Sequence, residues 1–205
     1  MTDILTRSDK LPVVYTWATK PQAGDFIGQK ILLSDYYYAE FMWTGTVWEI
    51  LEGNLAQVAH VYGNPYSSKT APLNAEQVLY QKTFDAGVLQ AGQEIIITTH
   101  FVKDVNNGNY NIAYRFGKNI NPLLNPVLIS EAMNVGDYTL TSQKGLLFLT
   151  NLLLYMSRGI SAVLPPQDIA ITDLLTGDNI LAITATAGGT TSSILSIRQS
   201  QIQVN

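Results

Sequence analysis

Gly24-Asp-Phe-Ile-Gly-Gln-Lys-Ile-Leu-Leu-Ser-Asp35, then Tyr36-Tyr37-Tyr38, then Ala39-Glu-Phe-Met-Trp-Thr-Gly-Thr-Val-Trp-Glu-Ile-Leu-Glu-Gly53, spells out a small aromatic β-meander. The reading turns on Gly45-Thr46. As a two-residue II′ turn, with glycine supplying the positive φ at its first position, it sets Thr44 against Val47, Trp43 against Trp48 and Phe41 against Ile50. One face of that hairpin is then wholly apolar. Upstream, Leu11-Pro-Val-Val-Tyr-Thr-Trp17 and Lys30-Ile-Leu-Leu-Ser34 have the β-branched and aromatic content of two further short strands, separated by turn residues around Pro21 and Gly24. A sheet of this size lies near the lower limit for independent stability, so a partner-dependent module is expected.

The chain has 205 residues, enough for one large or two modest domains with a substantial core. A net charge of −4 and only 14% charged residues, with the basic ones scattered singly, argue against a nucleic-acid surface. With no cysteine there is no disulfide, no thiolate nucleophile and no zinc-thiolate site, which suits assembly in a reducing cytoplasm. The opening Met1-Thr-Asp-Ile-Leu-Thr-Arg7 has none of the layout of a secretory signal. Leu146 to Met156 is the longest apolar stretch and is too short to cross a bilayer as a helix, which takes about 20 residues. It reads as a buried central strand, apolar on both faces, with a short helix as the lesser alternative, and membrane insertion is not expected.

Residues 54–73, broken by Gly63-Asn-Pro65, Ser67-Ser68 and Pro72, read as a linker beginning with one short turn of structure around Leu55 to Val61. Beyond it the texture is uniformly β. Glu94 to Lys103 forms one long strand, Asn106-Asn107-Gly108 marks a turn, and Tyr110, Ile112, Tyr114 and Phe116 recur at period two, which predicts a hairpin with one aromatic face. Further strands follow at 137–142, 146–156, 169–171, 178–186 and 193–204. The expected fold is all-β: a small N-terminal meander (1–53), the linker (54–73) and an antiparallel sandwich of jelly-roll type (74–205).

Gly28-Gln-Lys-Ile-Leu-Leu-Ser-Asp35, a short insert, Phe41-x-x-Thr-Gly-Thr-x-Trp48 and the closing Gly53 resemble the N-terminal module that precedes jelly rolls in many tailed-phage structural proteins. Ser34 replaces the usual Thr, and three tyrosines fill the insert in place of Gly and Asn. Phe84-Asp-Ala-Gly-Val-Leu-x-Ala-Gly-Gln-Glu-Ile95, Tyr114-Arg-Phe-Gly117 and Asp178-Asn-Ile-Leu-Ala-Ile-Thr-Ala-Thr186 extend the likeness to phage head-fibre, decoration and tail-fibre jelly rolls. The resemblance implies a non-enzymatic virion protein, assembled in the host cytoplasm, docked through residues 1–53 onto other virion proteins of capsid or tail. It implies a homotrimer, with a tail-fibre or receptor-binding adhesin, taking a host surface glycan, as the alternative.

The sequence offers no catalytic set, and no cofactor or metal is expected. In a strand His100 and Asp104 lie about 13 Å apart, too far to share a proton. Asp173 and Asp178 flank a Thr-Gly-Asp-Asn turn but lack the further oxygen donors a calcium site needs. Asp85, Glu94, Asp104, Glu131 and Asp137 are dispersed, which gives no reason to expect a glycosidase pair. Trp43 and Trp48 read as hairpin core. Trp17 and the run Tyr36, Tyr37 and Tyr38 are the candidate interface or glycan contacts, because three consecutive residues cannot all point inward.

Overall fold

The computed structural model describes residues 13–36, 38–51, 56–62, 68–69, 75–103, 108–149, 152–158, 169–170, 177–188 and 195–204. Four strands, β1 (Val13–Tyr15), β2 (Lys30–Leu33), β3 (Ala39–Trp43) and β4 (Trp48–Ile50), form a separate sheet in that order. The hairpin has the expected register, Phe41 opposite Ile50 and Trp43 opposite Trp48, with Gly45 at φ 102° and the Thr44 N–H donating to the Val47 carbonyl at 3.0 Å.

The sheet is nevertheless mixed and not a pure meander, because β1 runs parallel to β2. A parallel pair needs a crossover, and residues 16–29 supply it without a helix. That crossover serves as the second layer. The Trp48 indole N–H donates to the Pro21 carbonyl at 2.9 Å, and Gly24 sits so close to Trp43 that an added Cβ would lie 2.5 Å from the ring. Trp43 and Trp48, 5.5 Å apart, are buried with Ile31, Leu33, Phe41 and Ile50.

The remaining strands are β5 (Ala56–Tyr62), β6 (Ser68–Lys69), β7 (Gln77–Phe84), β8 (Glu94–Lys103), β9 (Asn109–Gly117), β10 (Val127–Met133), β11 (Thr139–Leu149), β12 (Leu152–Arg158), β13 (Ile169–Ala170), β14 (Asn179–Gly188) and β15 (Leu195–Val204). One sheet has the order β10-β9-β14-β7 and the other β13-β12-β11-β8-β15-β5, with β6 also on β15. Taking β5-β15-β8-β11 against β7-β14-β9-β10, the chain alternates between sheets as a jelly roll does, and β12 and β13 extend one sheet beyond the eight-strand pattern. Alternate residues of β8 and β9, among them Ile95, Ile97 and Phe101 and then Tyr110, Ile112, Tyr114 and Phe116, are buried in the shared core.

Three sequence expectations are revised by this topology. The segment 54–73 contains β5, which pairs with β15 from Gln199 opposite Tyr62 to Val204 opposite Ala56, so the first strand of the jelly roll lies inside the stretch read as linker. Its Gly and Pro residues flank the strand instead of replacing it. Strands β8 and β9 do not form a hairpin, because they belong to different sheets. The apolar run 146–156 is two strands, β11 and β12, with Leu149 opposite Leu152. Asn106 and Asn107, like Asp104 and Asp173, lie outside the described residues.

Candidate functional site

The tyrosine run sits where the small sheet meets the jelly roll. After β2 the chain makes one 3-10 turn, Ser34–Tyr36, held by the Ser34 hydroxyl donating to the Tyr15 carbonyl at 3.2 Å and by Asp35 Oδ2 accepting from the Trp17 N–H at 2.9 Å. This turn drives the Tyr36 ring inward, leaving it 1% exposed. It packs edge-on against Trp17 (centroids 6.3 Å) and Phe41 (6.0 Å). Such contacts between aromatic edges and faces add to area burial.

The Tyr36 hydroxyl reaches out of the module to Asp85, in the connection after β7. It donates to Asp85 Oδ2 at 2.7 Å and accepts from the Asp85 backbone N–H at 2.9 Å, so both capacities of the hydroxyl are used by one residue of the jelly roll. Lys82 closes the seam. Its ammonium lies 4.5 Å from the Tyr36 ring centroid and donates to the Asp35 carbonyl at 3.2 Å. Behind Asp85, the Ala86 N–H donates to Asp178 Oδ1 at 3.2 Å. Burial, reinforced by hydrogen bonding to Asp85, pushes the Tyr36 phenol far above its ordinary range. Burial also lowers the Lys82 ammonium, opposed by Asp35 and Asp85.

The other candidates divide. Tyr38 is 61% exposed and has φ 60°, the one non-glycine residue with a positive φ among those described. Its N–H donates to the Leu33 carbonyl at 2.8 Å, which holds that backbone in a conformation costly for a tyrosine. Trp17 is half-buried against the core, with Lys20 Nζ 4.0 Å above its ring. Tyr37 lies outside the described residues. Tyr36 therefore is an interface residue, but its interface is internal. Asp85 and Lys82 were not legible as its partners, because nothing in a sequence announces a contact 49 residues away.

Elsewhere the polar groups hold structure. His100 lies on the outer face of β8 with Nδ1 2.9 Å from the Thr141 hydroxyl. Asp137 accepts from the Asn134 N–H at 2.8 Å. Inside the sandwich, Lys144 Nζ is 2.8 Å from Glu131 Oε2, and the Tyr114 hydroxyl is 3.1 Å from Glu131 Oε1 and 2.8 Å from the Ser142 hydroxyl. Lys144 falls on the inward side of β11, directly across from Ile97, a pairing that only the register reveals. Burial and then the Glu131 charge raise the Tyr114 phenol well above its usual value. Among the described residues no three His, Asp or Glu side chains gather as a metal site, and no helix is long and apolar enough to cross a membrane. No protein-family model matches the chain, and no curated protein matches it in sequence.

Proposed function

We propose that this chain is a non-enzymatic structural protein of a phage virion, a capsid decoration or head-fibre protein that docks through residues 1–53 and displays its jelly roll. The observation that carries the reading is the division of labour in the architecture. A small sheet with its own tryptophan core is pinned at one end to a jelly roll and has its Gly45 hairpin turn at the other. This is the arrangement that the resemblance to phage modules implies. Gold labelling of the protein on purified virions, viewed by electron microscopy, tests it. Labelled capsids are expected, tail labelling favours the tail-fibre alternative, and unlabelled particles overturn the proposal.

Assembly as a homotrimer belongs to the same reading. The outward patch of Thr98, His100 and Val102 of β8, Thr139, Thr141 and Gln143 of β11, and Gln201 and Gln203 of β15 holds no Asp, Glu, Lys or Arg, although exposed Arg198 of β15 adjoins it and Glu94 and Ile96, farther along β8, are buried. Such a face packs against copies of itself without burying unpaired carboxylates or ammoniums. Light scattering is expected to return about three times the 22.5 kDa chain mass, and a monomer at micromolar concentration refutes the trimer. The adhesin alternative draws on exposed Tyr38, whose strained backbone is the kind retained at binding sites. A glycan array separates it from a purely structural role.

A further inference from the structure

The N-terminal sheet has two ends, and the Tyr36 end is committed to the jelly roll. At the opposite end the crossover makes a tight turn, Phe26-Ile27-Gly28-Gln29, closed by the Gln29 N–H donating to the Phe26 carbonyl at 3.2 Å, with Gly28 at φ 88°. The turn is bolted to the sheet. The Gly28 N–H donates to the Trp43 carbonyl at 2.8 Å, the Trp43 N–H to the Gln29 carbonyl at 2.9 Å, and the Asp25 N–H to Gln29 Oε1 at 2.5 Å. On its crest Ile27 is 75% and Phe26 46% exposed. The Ile27 side chain lies over the hairpin turn, 3.2 Å from where a Cβ on Gly45 would sit.

Turn crests ordinarily carry Gly, Pro, Asn, Asp or Ser. Two large apolar side chains side by side on a crest fixed by four hydrogen bonds form a convex, preorganised knob, which loses little entropy on insertion. The surrounding charge selects the partner. Asp25, adjacent to the knob, is exposed and anionic, and Lys30 beyond the turn is engaged by Glu40 at 2.6 Å. A loop that enters lipid is flanked by free Lys or Arg, which anionic headgroups attract. This crest has the opposite sign.

We propose that Phe26 and Ile27 are the contact by which the module seats in an apolar pocket of a neighbouring virion protein, with a donor or cation on the pocket rim facing Asp25. The inference rests on the docking reading above and names its contact. The test compares full-length wild type, Ile27→Asp, Phe26→Ser and, as a control on the jelly roll, Val135→Ser, which replaces another exposed apolar side chain. Each is quantified on purified particles and melted in solution. Both crest variants are expected to keep the wild-type melting curve and to fall roughly thirtyfold in particle affinity, as anchor residues do, with Val135→Ser unaffected. Wild type absent from particles overturns the docking reading and this contact with it. Wild type present and both crest variants equally present overturns the contact alone. Binding of wild type but not Ile27→Asp to phosphatidylserine-containing vesicles overturns the protein pocket in favour of lipid.

Discussion

Replacing Tyr36 with Phe removes one oxygen and keeps the ring contacts to Trp17 and Phe41, so it isolates the seam between the two parts of the fold. The lost hydroxyl is the donor to Asp85 Oδ2 and the acceptor for the Asp85 N–H. A hydrogen bond to a charged partner contributes about 1.5–3 kcal/mol, and a buried donor left unsatisfied costs about 1–3 kcal/mol. Some of this is recovered where water reaches Asp85, so a loss of about 2–4 kcal/mol is expected. The three tryptophans, Trp17, Trp43 and Trp48, all lie in the N-terminal module, which makes fluorescence excited selectively at tryptophan a reporter of that module, while far-ultraviolet circular dichroism follows all strands. In wild type the two urea transitions are expected to coincide, as one cooperative unit requires. In Tyr36→Phe the fluorescence transition should move to lower urea and separate from the dichroism transition. Asp85→Asn should show a similar displacement, and the double variant less than the sum, with a coupling of about 1–2 kcal/mol. Fluorescence and dichroism curves that stay superimposed and unshifted in Tyr36→Phe would refute the seam as a source of cohesion.

Trp48→Ala, which empties the middle of the small sheet and frees the Pro21 carbonyl, is expected to cost about 3–5 kcal/mol and to unfold the module while the jelly roll keeps its dichroism. A chain lacking residues 1–53 retains β5 and is expected to remain folded and soluble but to lose particle association. A chain lacking 1–73 exposes the edge of β15 and is expected to aggregate in size-exclusion chromatography. Glu76, whose carboxyl is held below the usual carboxylate range first by its hydrogen bonds to Arg115, at 2.8 and 2.6 Å, contributes stability that is present above the unfolded carboxylate pKa. That contribution is lost as pH falls through the lower, folded value. Urea midpoints from about pH 6 to about pH 3 should therefore decline less steeply in Glu76→Gln than in wild type.

What the sequence determined by itself is what short-range chemistry controls. Gly45-Thr46 dictated the hairpin register because only glycine adopts the positive φ at that turn position without strain. The period-two run Tyr110, Ile112, Tyr114, Phe116 dictated a strand with one buried face because successive side chains alternate across a sheet. The all-β class followed from many such segments punctuated by Gly, Pro and Asn. Tertiary structure decided which strands are neighbours. The residues between Lys103 and Gly108 suit a connection within one sheet and a connection between two equally well, and their sequence carries no preference. Strand β5 is secured by pairing with β15 more than 130 residues later, so its own composition left it looking like a linker. The fate of the tyrosines followed the same rule: alternation required that they diverge, but it took the 3-10 turn at Ser34 and the waiting Asp85 to send Tyr36 inward and leave Tyr38 at the surface.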